Sequence, residues 1–246
     1  MRKTIAILAA AVLCALCFAA AAEGTKAADF TKVGNIVTFG RYEQDSDAGN
    51  GPEPIEWIVL DVKDGKALLI SQYGLDSQPY EAEFTGITWA ECSLRKWLEE
   101  EFLPSAFTAE EQTAIAVTEV DNSREQGSPY SYVDDEENTR DRLFLLSVKE
   151  SDAYANTIWV NTRNTRAGVI LTSYASDRGA EENDRYYIPD DPFMIFPGWW
   201  WLRSPGDHPN QASVMWADGW TQQMYVNSTG GCVRPAFWLD LSKLGQ

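Results

Sequence analysis

Short runs of apolar residues, separated by turn-forming residues, mark several β-strands along the chain. Residues 55–60 and 67–70 are rich in branched and aromatic side chains, and they flank the dipeptide Asp64-Gly65. Asp-Gly between two such runs predicts a β-hairpin, because glycine adopts a positive φ angle at little cost. An earlier apolar run at residues 36–39 predicts a further strand.

Three capping boxes predict the beginnings of helices. Thr88, Thr108 and Ser147 are each followed three positions later by a glutamate, so that hydroxyl and carboxylate can each accept a free N–H of a first helical turn. Behind Thr88, apolar residues recur near the helical period, and Pro104 is expected to end that helix. Those apolar residues are Trp89, Cys92, Leu98 and Phe102. Helices mixed with hairpins predict an α+β fold.

The C-terminal part of the chain is rich in tryptophan, with six of the ten between Trp199 and Trp238. A two-residue turn or a three-residue turn could connect its hairpin. The three-residue turn places Gly219 in the left-handed conformation and pairs Trp216 with Trp220. We favour it because it separates apolar from polar side chains better. The predicted strands cover residues 199–204, 212–216, 220–226 and 232–241.

The N-terminus has the three parts of a secretory signal peptide: two basic residues, an apolar run at residues 5–18, and small residues at 20–22. The apolar run is shorter than the roughly 20 residues that span a bilayer. We therefore expect a signal peptide at residues 1–22, a linker at 23–34 and one domain at 35–246. This organisation predicts a secreted, extracytoplasmic protein without a membrane anchor after cleavage.

Charge and composition disfavour several classes of function. The net charge is −17, with 20 basic against 37 acidic residues, which disfavours binding to nucleic acid and to anionic lipid. His208 is the only histidine, so neither a Ser-His-Asp triad nor a zinc cluster is expected, and we predict no cofactor. Cys92 and Cys232 could form a disulfide outside the cell, or Cys92 could pack as a small hydrophobe. The acidic run at residues 134–137 lacks the pattern of a calcium loop and predicts a solvated loop.

Ordered motifs through the chain resemble those of a bacterial family of secreted, uncharacterised proteins, domain of unknown function 6273. The resemblance runs from about residue 35 to residue 241 and implies no activity. The motifs lie at residues 54–60, 88–98, 144–150, 200–206 and 231–236.

The C-terminal segment is also distantly similar to C-type-lectin-like domains of the formylglycine-generating-enzyme branch. That similarity implies one compact α+β domain of antiparallel hairpins with a few short helices, and a ligand-binding surface on the C-terminal loops. It implies structural roles for Arg203 and Arg234. Enzymes of that branch use a cysteine pair near the last strand, where this chain has only Cys232, so their activity is not expected. We also assign structural roles to the family-motif residues Trp89, Arg95 and Trp97.

Exposed tryptophans are suited to stacking on flat ligands. Alternation along the first C-terminal strand places Trp199 and Trp201 on the face opposite Trp200 and Leu202. If the second pair is core, the first pair faces solvent, although the opposite assignment is open. With the residues at the hairpin turn, the predicted ligand-binding set is Trp199, Trp201, Trp216, Asp218 and Trp220.

The sequence therefore predicts a non-enzymatic recognition module for an extracellular glycan, cell-wall polymer or protein. Two alternatives are a hydrolase acting through paired carboxylates and a structural subunit of the cell surface.

Overall fold

The chain builds two main β-sheets with short helices at their margins. The computed structural model describes residues 27–128, 136–161, 168–185 and 196–244. The predicted signal peptide and residues 23–26 of the predicted linker lie outside these residues. The strands are β1 Ile36–Tyr42, β2 Glu53–Lys63, β3 Lys66–Ser71, β4 Asp76–Ser77, β5 Thr118–Val120, β6 Thr139–Asp141, β7 Trp200–Pro205, β8 Gln211–Met215, β9 Thr221–Tyr225, β10 Cys232–Val233 and β11 Ala236–Asp240.

The first sheet is antiparallel, in the order β1-β2-β3-β11. The predicted hairpin between β2 and β3 is confirmed, and Asp64 and Gly65 both have positive φ angles, of 51° and 74°. Lys63 pairs with Lys66 at its tip, and Lys66 pairs with Asp240 of β11. Because side chains alternate along a strand, this register places Lys63, Lys66 and Trp238 on one face of the sheet.

The second sheet is mixed, in the order β4-β10-β7-β8-β9. The predicted three-residue turn between β8 and β9 is confirmed. Gly219 has a φ of +80°, and the N–H of Trp216 donates to the carbonyl of Trp220 at 2.9 Å. β7 is the central strand, and all its residues except Pro205 are buried.

The predicted last strand is divided between the two sheets. β10 pairs with β4 and β7 of the second sheet, and β11 pairs with β3 of the first. Arg234 and Pro235 lie at the crossing, where proline cannot donate to a ladder and so favours the break. The C-terminal segment therefore joins both sheets.

Two of the three predicted capping boxes are confirmed. Thr108 and Ser147 each form the complete reciprocal pair with the glutamate three residues on. The prediction at Thr88 is wrong, since that helix begins at Ser93 and its cap is the Cys92 thiol. The N–H of Glu91, which a capping box would direct to the Thr88 hydroxyl, donates instead to the Thr88 carbonyl at 3.2 Å, and the N–H of Trp89 donates to the Glu136 carboxylate at 3.0 Å. The α-helices are α1 Ser93–Trp97, α2 Leu103–Ala106, α3 Ala109–Ala114, α4 Val148–Ala153, α5 Ala155–Asn161 and α6 Ser173–Asp177.

Pro104 does not end the helical segment, contrary to the sequence prediction. A π-helical turn, Leu98–Phe102, joins α1 to α2, and the N–H of Leu103 reaches back to the carbonyl of Leu98. Pro104 then occupies the first turn of α2, where a missing N–H is tolerated. Among the described residues, no helix has the length and apolar character needed to cross a membrane.

Candidate functional site

The structure corrects the expectation that Trp199 and Trp201 face solvent. They are 3% and 0% exposed, respectively, and Trp200 on the opposite face is 1% exposed. A strand with one solvated face would leave them exposed, whereas β7 is central in its sheet and buried on both faces. Trp201 also donates its indole N–H to the carbonyl of Gln78 at 3.0 Å. Neither ring offers a face on which a ligand could stack.

The other three predicted ligand residues lie at the β8–β9 turn. Trp216 is half-buried and stacks on Trp199 with ring centroids 5.8 Å apart. Asp218 accepts the backbone N–H of Trp220 at 3.0 Å, which is a turn-stabilising role. Trp220 is 62% exposed. The turn therefore has one exposed indole, and it lines neither of the cavities described below.

Arg203 and Arg234, predicted to be structural, are both buried. Arg203 forms a bidentate pair with Glu150 and donates to the carbonyls of Leu145 and Asp121. Arg234 donates to the carbonyl of Ser71 at 2.7 Å and lies 5.1 Å from the Trp200 ring centroid. Burial lowers the pKa of Arg234 to about 10. These contacts tie separate segments together and leave neither guanidinium facing solvent.

The family-motif residues around α1 form a second buried polar group. Trp89 donates its indole N–H to one oxygen of Asp141 at 3.0 Å, and Arg95 contacts the other oxygen at 2.7 Å. Trp97 is half-buried, with its ring centroid 5.5 Å from that of Phe102. The Asp141 carboxylate is thereby shared between two motif residues, an arrangement that positions α1 against β6.

An open groove of about 310 Å³ lies at the C-terminal edge of the first sheet. Trp238 lies between its two walls, because β11 pairs with β3 on one side and contacts Ile115 on the other. Its volume is at the lower end of the roughly 300–1,000 Å³ typical of small-molecule sites. The residues lining the groove are Lys63, Asp64, Lys66, Ala116, Val117, Thr118, Glu119 and Trp238.

Sequence reasoning missed this groove because its parts are far apart along the chain. Trp238 is one of six tryptophans in the C-terminal segment and has no distinguishing pattern around it, and Val117 belongs to no motif. Val117 is 56% exposed, and Trp238 is partly exposed. One sequence feature does indicate the groove: the hairpin predicted at Asp64-Gly65 has two lysines beside its turn.

A second, much smaller cleft of about 10 Å³ lies beside Arg203 and includes Glu136. This volume accommodates about one water molecule and no larger ligand. Desolvation raises the pKa of Glu136 to about 7, and the hydrogen bond from the backbone N–H of Trp89 opposes that rise. The expectation of a solvated acidic loop is therefore wrong at Glu136, whereas Glu137 is exposed; residues 134 and 135 lie outside the described residues.

The raised pKa of Glu136 predicts a pH-dependent stability. The folded chain keeps a proton that the unfolded chain releases near the ordinary pKa of 4.5, so the unfolding free energy falls as pH rises from about 4.5 to about 7. Glu136→Gln removes the buried charge and can keep the bond from Trp89. We expect it to raise the unfolding free energy by about 1–2 kcal/mol at pH 8 and to add nothing at pH 4.

Urea denaturation at both pH values measures this difference. Glu137→Gln, at the exposed neighbour, is the matched control and should change neither value. Equal stability of Glu136→Gln and the unaltered chain at pH 8 would mean that the carboxylate is solvated.

Three carboxylates converge on the loop between β1 and β2. Glu43, Asp45 and Glu53 each offer an oxygen, and these oxygens lie within 4.8 Å of one another. Desolvation and the charges of Asp45 and Glu43 raise the pKa of Glu53, against the hydrogen bond from the Gln44 N–H. Carboxylate oxygens are ligands that Ca²⁺ prefers, so these residues are the group in the described chain suited to a hard cation.

Cys92 and Cys232 are both free and buried. Desolvation raises the pKa of each thiol to about 12. A nucleophilic cysteine needs a thiolate near neutral pH, which excludes that role for both. Cys92 packs in the core, as one of the two sequence interpretations proposed.

Comparisons with known proteins found one family. A family model described as "Domain of unknown function (DUF6273)" matches residues 64–241. This range contains every residue lining the groove except Lys63. No curated protein and no solved structure matched the chain.

Proposed function

The chain belongs to the DUF6273 family, and we propose that it is an extracytoplasmic recognition module whose ligand binds in the groove beside Trp238. The ligand classes are those expected from the sequence: a glycan, a cell-wall polymer or a protein. The observation that carries the proposal is the open groove over a partly exposed indole. Ligand sites are concave, with an aromatic surface and a few polar groups that fix orientation.

The polar groups of the groove suit binding more than catalysis. Lys63 and Asp64 are exposed on the hairpin tip, and Glu119 is exposed on the opposite wall. A hydrolase acting through two carboxylates needs them about 5–9.5 Å apart across the scissile bond, and one of them usually has a strongly raised pKa. Among the described carboxylates, the one with the largest such rise, Glu136, lies in the small cleft beside Arg203 and not in the groove.

Val117 allows a direct test because its side chain lines the groove and is 56% exposed. We expect Val117→Glu to weaken ligand binding by about tenfold or more, which corresponds to about 1.4 kcal/mol, because the longer charged side chain obstructs the groove. The measurement is a binding screen of the whole chain against glycans, cell-wall fragments and extracellular proteins.

Val33→Glu is the matched control, since Val33 is 47% exposed and does not line the groove. It should bind as the unaltered chain does, and both variants should unfold at nearly the same temperature. Undiminished binding by Val117→Glu would place the ligand elsewhere, with the exposed Trp220 turn as the next surface to test.

The second candidate is a hydrolase acting through paired carboxylates. The observation that favours it is the convergence of Glu43, Asp45 and Glu53 within 4.8 Å. Cleavage of any ligand found in the screen, abolished by Glu53→Gln and retained by Val117→Glu, would support the hydrolase over the recognition module.

The lectin-like similarity is retained as a proposal about the fold. Two features support it: the last strand returns to the sheet that holds the first strand, and the tryptophan-rich strand and its hairpin form a separate sheet. In lectin-like domains of the branch named above, the C-terminal loops carry the ligand, which predicts a surface around Trp220. The Val117 and Val33 variants distinguish that surface from the groove.

A further inference from the structure

The charges that line the groove cancel. Two ammonium groups, on Lys63 and Lys66, are matched by the carboxylates of Asp64 and Glu119. A ligand of either sign therefore meets one repelling charge for each attracting one. A ligand without net charge is not repelled in this way, and hydrogen-bond donors and acceptors are available to it on both walls.

The groove also contains a flat apolar surface. Trp238 is partly exposed and packs against the core, so its indole is held in place before a ligand arrives. The negative face of an indole attracts polarised C–H groups, and its large area contributes hydrophobic contact. A ring with C–H groups on one face and hydroxyls around its edge complements both the indole and the charged walls.

An extended peptide cannot add a strand to β11 at this place. Peptides that bind sheets do so by adding a strand to a free edge. Here Ala116 donates its N–H to the carbonyl of Trp238 at 2.8 Å, and Ile115 bridges to Leu239. The edge of β11 beside Trp238 is therefore already paired.

We infer that the groove binds a neutral sugar residue of a glycan, with the sugar ring stacked on Trp238 and its hydroxyls bonded to the lysine and carboxylate side chains of the walls. This inference rests on the proposed function of the groove and names its ligand class. It distinguishes neutral saccharides from acidic polymers, basic polymers and peptides.

The test is isothermal titration of the whole chain with defined tetrasaccharides. The neutral probes are β-1,4-linked glucose, mannose and N-acetylglucosamine, the acidic probe is α-1,4-linked galacturonate, and the basic probe is β-1,4-linked glucosamine. We expect at least one neutral probe to bind, with an affinity that changes less than about twofold between about 0.05 and 0.5 M NaCl, because screening acts on charged partners. Trp238→Ala should weaken binding by about tenfold or more, and Trp238→Phe should restore part of it.

Phe84→Ala, at an aromatic side chain that is 59% exposed and lies outside the groove, is the control and should leave the affinity unchanged. Val117→Glu gives an independent block if Trp238→Ala is unstable. Binding of only the galacturonate or glucosamine probe, lost in Val117→Glu and weakened by salt, would overturn the neutral-sugar inference and leave the groove as the binding site. The inference is also overturned, with the groove kept as the binding site, if no probe binds and the wider screen finds a protein ligand whose binding Val117→Glu abolishes. Neutral-sugar binding that survives both groove variants would overturn the inference and the proposed function together.

Discussion

Replacing Arg203 with alanine is expected to lower the unfolding free energy by about 2–4 kcal/mol, because the buried guanidinium donates to several acceptors, although the side chain of its partner Glu150 is about one-third exposed. Arg203 is 2% exposed and joins three segments through Glu150, the Leu145 carbonyl and the Asp121 carbonyl. It also donates to the Asn122 side chain at 3.2 Å. Alanine would remove the Arg203 donor from these acceptors, of which Glu150 keeps the bond from the Ser147 N–H, and would leave a cavity beside β7.

Arg142→Ala is the control for this prediction. Arg142 also pairs with a glutamate, Glu99, but both side chains are about one-third exposed, and such pairs contribute at most about 1 kcal/mol. Urea denaturation of the two variants should therefore differ severalfold in the loss of stability. A loss below about 1 kcal/mol in Arg203→Ala would mean that the bonds around this guanidinium add little to the fold.

Replacing Trp201 with alanine is expected to lower the unfolding free energy by a similar amount, about 3–5 kcal/mol. Its ring is enclosed, with centroids 5.1 Å from Trp199 and 5.7 Å from Tyr80. Alanine removes these aromatic contacts and the indole donor to the carbonyl of Gln78. The side chain is too large for its neighbours to fill the space by small movements, because protein cores are close-packed.

Trp220→Ala is the matched substitution at an exposed indole. Trp220 is 62% exposed, so its replacement should change the stability by no more than about 0.5 kcal/mol. Thermal or urea unfolding of both variants measures the contrast. Equal and small losses of stability in the two variants would mean that the Trp201 ring is not enclosed, and Trp201 would again be a candidate ligand-binding residue.

Local signals in the sequence predicted local structure well. The Asp-Gly hairpin, the caps at Thr108 and Ser147, and the three-residue turn at Gly219 all depend on residues close together in the chain. Thr88 has the same local pattern and fails, since the N–H of Glu91 donates to the Thr88 carbonyl in a turn and the helix begins only at Ser93. The spacing of a capping box therefore does not by itself decide where a helix begins.

The expectation that Trp199 and Trp201 face solvent failed for a tertiary reason. Alternation separates the two faces of β7 correctly, but only the position of β7 at the centre of its sheet decides that both faces are buried. The groove, in contrast, was not predicted, because its lining comes from distant parts of the chain. Its walls come from residues 63–66 and 116–119, and its floor from Trp238. The register between β2, β3 and β11 brings residues 63–66 to Trp238, and the contacts of Ile115 and Ala116 with β11 bring the other wall. Pairing across such separations cannot be predicted from any one segment.

The division of the C-terminal segment between the two sheets has a consequence for biosynthesis. β10 and β11 leave the ribosome after the other strands described here, and β11 must find β3 across more than half of the chain. Pairing between such distant segments makes folding slow. Neither sheet can therefore be completed on a nascent chain that ends before Cys232, and truncation there would open the edges of β3, β4 and β7, of the kind that promotes aggregation.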